Sequence, residues 1–425
     1  MEKLLMLSTN YVSCEMIKYA KSQGVYTIVT DYYEPQKSPA KLIADEYWMI
    51  STSNVDELEK KCRKEGITAV CCGLSEFNLE IQMELCRRLG LNSYLTPQAW
   101  RYSRDKAAFK ALCKEVGAPV AEDYYISDKL TDDELNKVVF PVVVKPVDQS
   151  GNRGVSYCYN KEQLIDAYKF AKSISMSDTI IVERMLHGEE WYSSYAVANG
   201  KVSLLALNAM YSQPGEPKNC YSVTTTVSDH VEQFIKEINP AIEKVFQKVG
   251  CTDGYVWMQV MLDEDGRFYI IEMGYRLDGG LVFYPYRQLC NFDTVKWMVD
   301  AARGIKHSSS QLPKPQTKAY EECACGMELW VNKGGVIKEM IGFEELSSIP
   351  GFGYETLRRV GDSVDKYRSV GVITFCANDC DELCKKIQIV NETIRVINED
   401  GEDMIIKYTD FDYLKRIYLK GLAGN

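Results

Sequence analysis

Gln259, Glu272 and Arg276 are spaced so that a hairpin would display them together. They belong to the segment Gly254-Tyr-Val-Trp-Met-Gln-Val-Met-Leu-Asp-Glu-Asp-Gly-Arg-Phe-Tyr-Ile-Ile-Glu-Met-Gly-Tyr-Arg276. Asp265-Gly266 is a two-residue turn signal between runs of strand-forming residues. A turn on that pair sets Gln259 directly opposite Glu272, with Cβ atoms about 5 Å apart. Gly274 and Arg276 follow on the same face, because strand side chains alternate. An amide oxygen, a carboxylate and a guanidinium on one face suit a metal ion and the phosphate it binds. A solvent-facing hairpin would show the same residues without that use, so the remaining motifs decide.

Two other stretches carry chemistry. Phe140-Pro-Val-Val-Val-Lys-Pro-Val-Asp-Gln-Ser-Gly-Asn-Arg-Gly-Val155 reads as a buried strand ending in Lys145, then a loop with Gly151 and Gly154. Such a loop frees backbone N–H groups to cradle phosphate, and the lysine adds a point charge. A second strand follows, at 155–159, so this is not the helix-opening phosphate loop; a polar hairpin is the plain alternative. In Thr179-Ile-Ile-Val-Glu-Arg-Met-Leu-His-Gly-Glu-Glu190, Glu183 ends a strand and Glu190 opens the next. The first carboxylate can accept an adenine amino group and the second can bind ribose hydroxyls, although a solvated acidic turn would look alike.

The elements that must position these groups fall into three parts. Residues 4–7, 26–30, 47–50 and 69–72 read as short buried strands, separated by helical patterns at 13–22, 54–64 and 77–89. That alternation predicts a small doubly wound sheet. The loop after its first strand, Ser8-Thr9-Asn10-Tyr11, lacks a dinucleotide fingerprint, and Asp31 reads as a loop cap. From about residue 96 a helix at 106–116 precedes a strand-rich section. A long helix at 229–249 and the hairpin follow, then a helix at 293–303 closed by Gly304. Residues 306–315 read as a linker. The remainder mixes strands at 323–331 and 371–376 with a helix near 381–397, as a small α+β unit.

Composition sets limits. The chain has 425 residues, with 50 Lys plus Arg against 60 Asp plus Glu, a net charge of −10 that argues against a nucleic-acid surface. No stretch is long and apolar enough for a leader or a spanning helix, so the expected compartment is the cytoplasm and no membrane partner is expected. Fifteen cysteines scattered over so long a chain read as reduced and mostly buried. Cys323 with Cys325, and Cys376, Cys380 and Cys384, form no zinc-type CxxC pairing.

In this order the motifs resemble the ATP-grasp ligases, over about residues 96–304. The match inclines to the carbamoyl-phosphate synthetase-like and L-amino-acid ligase branches, the latter through Arg276-Leu-Asp-Gly-Gly280 and, less specifically, the tail from Gly334. The resemblance implies an α/β and α+β multidomain protein. Its parts would be a Rossmann-like pre-ATP-grasp domain (1–97), an ATP-grasp fold (98–305) and a small C-terminal α+β domain (316–425). Lys106 and Lys145 match the phosphate-binding lysines, and the loop 148–154, with Ser150, Gly151 and Gly154, matches the one folding over the triphosphate. Glu183 matches the adenine acceptor, Met185 and Leu186 the linker at the ring edge, and Glu190 the ribose ligand. Gln259 and Glu272 would hold magnesium or manganese, and Arg276 would steady the transferred phosphate and acyl group. One departure stands out: where the family reads Glu-x-Asn, this chain has Glu272-Met-Gly274, which removes an oxygen ligand and puts a second metal in question. The implied activity joins a small-molecule carboxylate to an amine through an acyl phosphate, releasing ADP and phosphate. A nucleotide-binding protein with impaired catalysis and a bicarbonate- or carbamoyl-phosphate-type enzyme are the alternatives. A homodimer is compatible with either.

Overall fold

The computed structural model describes residues 1–148 and 154–423. Of the expected phosphate-loop residues, Ser150 and Gly151 therefore lie outside the described residues.

Strands β1 (Lys3–Leu7), β2 (Tyr26–Thr30), β3 (Glu46–Trp48) and β4 (Ala69–Cys72) form a parallel sheet in the order β3-β2-β1-β4. β4 is buried throughout and β1 almost throughout, as a parallel strand covered by helices on both faces must be. Helix Tyr11–Ser22 is capped by Asn10, whose side chain accepts from Ser13 N, and helix Glu76–Leu89 is capped by Ser75. Strand order reverses between β1 and β4. Asn10 and Glu76 begin the helices that follow the C-terminal ends of these two strands. Asp31 caps its loop, accepting from Tyr33 N and Ser38 Oγ while pairing with Lys41 at 2.8 Å.

A small lobe follows. Strands β5 (Asp123–Tyr124), β6 (Val142–Pro146), β7 (Ser156–Cys158) and β8 (Ile180–Arg184) run antiparallel in the order β5-β8-β6-β7. Helix Lys161–Ile174 packs over them through Leu164, Tyr168 and Ala171. These side chains, with Val142, Val144 and Val182, make a core separate from that of the rest of the chain.

The main body is an eight-stranded sheet. It contains β9 (Gly188–Ala198), β10 (Lys201–Ser212), β11 (Tyr221–Thr225), β12 (Gly254–Asp263), β13 (Phe268–Gly274) and β14 (Cys323–Trp330). Strands β15 (Gly335–Val336), β16 (Glu339–Ile341), β17 (Gly353–Thr356), β18 (Ser363–Val364), β19 (Ser369–Ala377) and β20 (Arg395–Ile397) complete the set, of which β17 and β19 join the large sheet. Its order, β13-β12-β9-β10-β11-β14-β19-β17, runs without a break from the hairpin into the last hundred residues, because β14 pairs with β11. One hydrophobic core joins this sheet to the N-terminal one.

Four sequence expectations change. The hairpin connection is not a two-residue turn: Asp263 N donates to Arg267 O, leaving Glu264, Asp265 and Gly266 in the loop, with Gly266 at φ +75°. Gln259 still faces Glu272, because a bulge between Gln259 and Val260 leaves Ile271 unpaired and restores the register. The helix expected over 229–249 is two helices, Val231–Glu237 and Asn239–Val249, since Pro240 has no N–H to continue the first. The helix expected to Ile397 stops at Thr393, and Arg395–Ile397 pairs as β20 with β16. Residues 306–315 are not a free tether. His307 is buried and stacks on Trp297 with ring centroids 3.5 Å apart, and Ser203 Oγ donates to Pro313 O.

Candidate functional site

One face of the large sheet gathers the polar groups. On β12 the odd-numbered positions Tyr255, Trp257, Gln259 and Met261 share a face, and register puts Tyr192 and Glu190 of β9 and Asn208 of β10 on it too. On β13 the same face shows Glu272 and Gly274, opposite Gln259 and Trp257. The expected metal-binding pair is thus brought together. Gln259 Nε2 donates to Glu190 Oε2 at 2.7 Å, which commits the amide nitrogen and leaves the amide oxygen as the end available to a cation. Burial pushes the Glu190 carboxyl above its ordinary range, against hydrogen bonds from Tyr221 and Gln259.

Lys106 is the first residue of helix Lys106–Glu115, capped by Asp105, and its Nζ lies 3.4 Å from Glu272 Oε2. Lys145 leaves β6 and pairs with Glu183 of β8, which also binds Lys110. Glu183 is buried, which alone would raise its pKa, but Lys145 and Lys110 outweigh burial and hold the carboxyl below its ordinary range. Here Glu183 accepts from two ammonium groups, so both of its oxygens have cationic partners. Met185 and Leu186 form the link between β8 and β9, where Gly188 passes so close to β12 that a Cβ on it would lie 1.8 Å from Leu262 O. Gly154 has φ +79°, and a Cβ there would strike Ile174 at 2.5 Å. A cavity of about 300 Å³ opens between the lobe and the body, lined by Arg104, Asp105, Ala107, Val147, Asp148, Ser177 and Thr179.

Arg276 is held from three sides. It donates to Leu277 O at 2.8 Å, pairs with Glu76 Oε1 at 2.9 Å and lies over the Trp257 ring at 5.3 Å. Glu76 also binds Arg104; despite burial, Arg276 and Arg104 keep its carboxyl below the ordinary range. The helix that follows β4 of the N-terminal sheet therefore meets the segment after the hairpin at Glu76 and Arg276. Two residues on, Asp278 is buried and accepts from Tyr255 OH at 2.8 Å, fixing the loop that carries Arg276.

Lys110, Arg104, Trp257 and Tyr221 were not singled out by sequence reading. Lys110 lies one turn from Lys106 on the same helix face, and Trp257 two residues before Gln259 on the same strand face, so periodicity could have flagged both. Among the described residues no group of three His, Cys, Asp or Glu side chains is placed to hold a metal. One carboxylate and one amide oxygen on adjacent strands fit a magnesium ion, which completes its shell with water and phosphate oxygens. All fifteen cysteines are free, and all but Cys14 and Cys290 are buried. Among the described residues no helix is long and apolar enough to cross a membrane.

Residues 138–282 match the sequence profile of the family described as ATP-grasp domain. The chain carries an ATP-grasp domain within a mixed α/β multidomain architecture. It is 24% identical over 288 residues to the carbamoyl phosphate synthase large chain of Thermomicrobium roseum, covering 63% of this chain but 26% of that one. The chain thus spans about a quarter of that relative's length. The fold resembles the L-amino acid ligase from Bacillus licheniformis, with TM-score 0.74, 17% identity and coverage of 94% and 99% of the two chains. It also resembles the biotin carboxylase domain of the Hydrogenobacter thermophilus 2-oxoglutarate carboxylase, solved with MgADP and bicarbonate. There the TM-score is 0.75 and the identity 17%, with 98% and 94% of the chains covered.

Proposed function

We propose that this chain is an ADP-forming, cytoplasmic carboxylate–amine ligase that uses ATP and magnesium or manganese. The observation that carries the reading is the convergence of Lys106, Gln259, Glu272 and Arg276, from a helix, two strands and a loop, on one sheet face. When bound, ATP would supply the terminal phosphoryl group, and a divalent ion would offset the charge of its β- and γ-phosphates.

The residues have positional tasks. Lys106 and Lys145 neutralise phosphate oxygens, and Glu272 with the Gln259 amide oxygen holds the ion. Glu183, Met185 and Leu186 form the adenine side of the cleft, with Glu190 toward the ribose. Ser150, Gly151 and Gly154 are assigned to the phosphates by their sequence motif alone. Arg276 binds the substrate carboxylate and the oxygens that gain charge as it attacks in line. The acyl phosphate so formed is opened by the amine, and phosphate leaves. No side chain acts as a covalent nucleophile; catalysis consists of positioning and charge compensation.

Nucleotide products decide the chemistry. Pairs of amino acids and other small carboxylates and amines are screened for phosphate release, and the nucleotide is then separated by chromatography. ADP and phosphate in equal amounts with the amide product are expected. AMP and pyrophosphate would overturn the mechanism, and turnover requiring only bicarbonate would favour the carboxylating alternative.

A further inference from the structure

We infer that this site takes a single divalent cation, because the indole of Trp257 occupies the position from which a second ligand would reach. The inference rests on the ATP-dependent reading above and specifies the metal content of that same site.

On the hairpin face, successive positions toward Arg276 are Glu272 and then residue 274. Residue 274 is glycine, and the space beside it is not open: a Cβ there would lie 2.2 Å from two carbons of the Trp257 indole and 2.6 Å from its Nε1. These are atoms of a rigid ring, so no side chain fits at 274 while the ring stays where it is. Trp257 stands directly opposite Gly274 in the ladder and lies over it, filling the gap the glycine leaves. The oxygens that the hairpin itself turns to this patch are the Glu272 carboxylate and the Gln259 amide, with Glu190 Oε2 of β9 engaged by the Gln259 nitrogen. One carboxylate and one neutral oxygen supply too little charge to hold two dications side by side.

The ring also brings charge of its own. The Arg276 guanidinium also lies against it, 5.3 Å from the ring centre, in the geometry of a cation–π contact. Lys106 Nζ lies 3.4 Å from Glu272. Two fixed monocations thus flank the single-ion position. Together they compensate phosphate charge that a second dication would otherwise meet, and Trp257 is the positioning residue that ties Arg276 to the hairpin.

Electron paramagnetic resonance tests this without turnover. The full chain is loaded with a non-hydrolysable ATP analogue and Mn2+, freed of excess metal, and assayed for metal, nucleotide and spectrum. One Mn2+ per bound analogue with an uncoupled spectrum is expected. Two Mn2+ per analogue with the spin coupling of ions about 3.5–4 Å apart would overturn the inference while leaving the nucleotide reading standing. Failure of Mn2+ and the analogue to bind together would overturn that reading and the inference with it. In the double variant Trp257→Ala/Gly274→Asn the second ion should appear. A folded double variant that stays at one ion would overturn the role given to Trp257, and the wild-type count decides alone if the variant does not fold.

Discussion

Glu183 lies between lysines of two origins, Lys145 from the lobe and Lys110 from the body helix, and Lys110 reaches Asp123 as well. Lys110 is therefore a structural cation at the lobe's root. Lys110→Met should lower stability by about 1.5–3 kcal/mol, the range for losing a hydrogen bond to a charged group, read as a lower denaturation midpoint at unchanged m-value. Lys145→Met leaves Glu183 its Lys110 partner, and its larger effect should fall on ATP affinity measured by calorimetry. Glu328 gives a pH prediction: burial pushes its carboxyl from 4.5 up to about 7, against a hydrogen bond from Ser369. A raised acid binds its proton more tightly folded than unfolded. Stability from this group is thus complete below the unfolded value and falls as pH rises through the window up to about 7. Glu328→Gln should melt close to wild type at pH 5 and above it at pH 8, by up to about 3 kcal/mol for the full shift; equal melting at both would refute the assignment. The pairing of Glu272 with Gln259 was legible because strand alternation fixes which side chains share a face. Periodicity places Lys110 and Trp257 on the right faces, but their importance comes from what folding brings against them.

The hairpin shows how an element can be foreseen for an incomplete reason. Sequence placed Gln259 opposite Glu272 through a two-residue turn; the chain reaches that pairing through a three-residue loop and a compensating bulge at Ile271. A loop signal such as Asp265-Gly266 fixes where the chain turns but not how many residues the turn absorbs. Bulges leave still less trace in one sequence, as Ile271 is an ordinary strand residue. The bulge carries a prediction. Deleting Ile271 should remove the bulge and set Glu272 directly after Ile270, still opposite Gln259 and on its face. The variant should fold, judged by circular dichroism, and keep Mn2+-dependent nucleotide binding; lost binding would show that the bulge itself, and not the pairing of Glu272 with Gln259 alone, presents the metal ligand. Doubly wound alternation was readable because β1 and β4 are apolar runs between helical patterns. Residues 306–315 misled because serine and proline mark the absence of regular structure, not the absence of packing, and the stacking of His307 on Trp297 is a tertiary contact.

At the scale of the molecule, the cores divide the chain differently from its linear order. The N-terminal sheet, the large sheet and the C-terminal strands share one core, and ties such as Arg303 with Glu2 at 2.7 Å and Tyr19 with Asp300 bind the first of these to the body. The lobe alone keeps its own small core. Adding nucleotide and magnesium should increase hydrogen-exchange protection in the lobe and in β12 and β13, and change the N-terminal sheet little. Uniform protection would argue for a single rigid unit. The separate core has a further consequence, in the order of failure. A core this small cannot match the free energy of the body it is attached to, so the lobe is the segment expected to open first, below global unfolding. Limited proteolysis should cut between residues 123 and 184 before anywhere else in the sheets. A ligand held by both Lys145 of the lobe and Lys106 of the body would close that route, by about 2.7 kcal/mol at a hundredfold excess over its Kd. Resistance to protease would then report occupancy of the cleft.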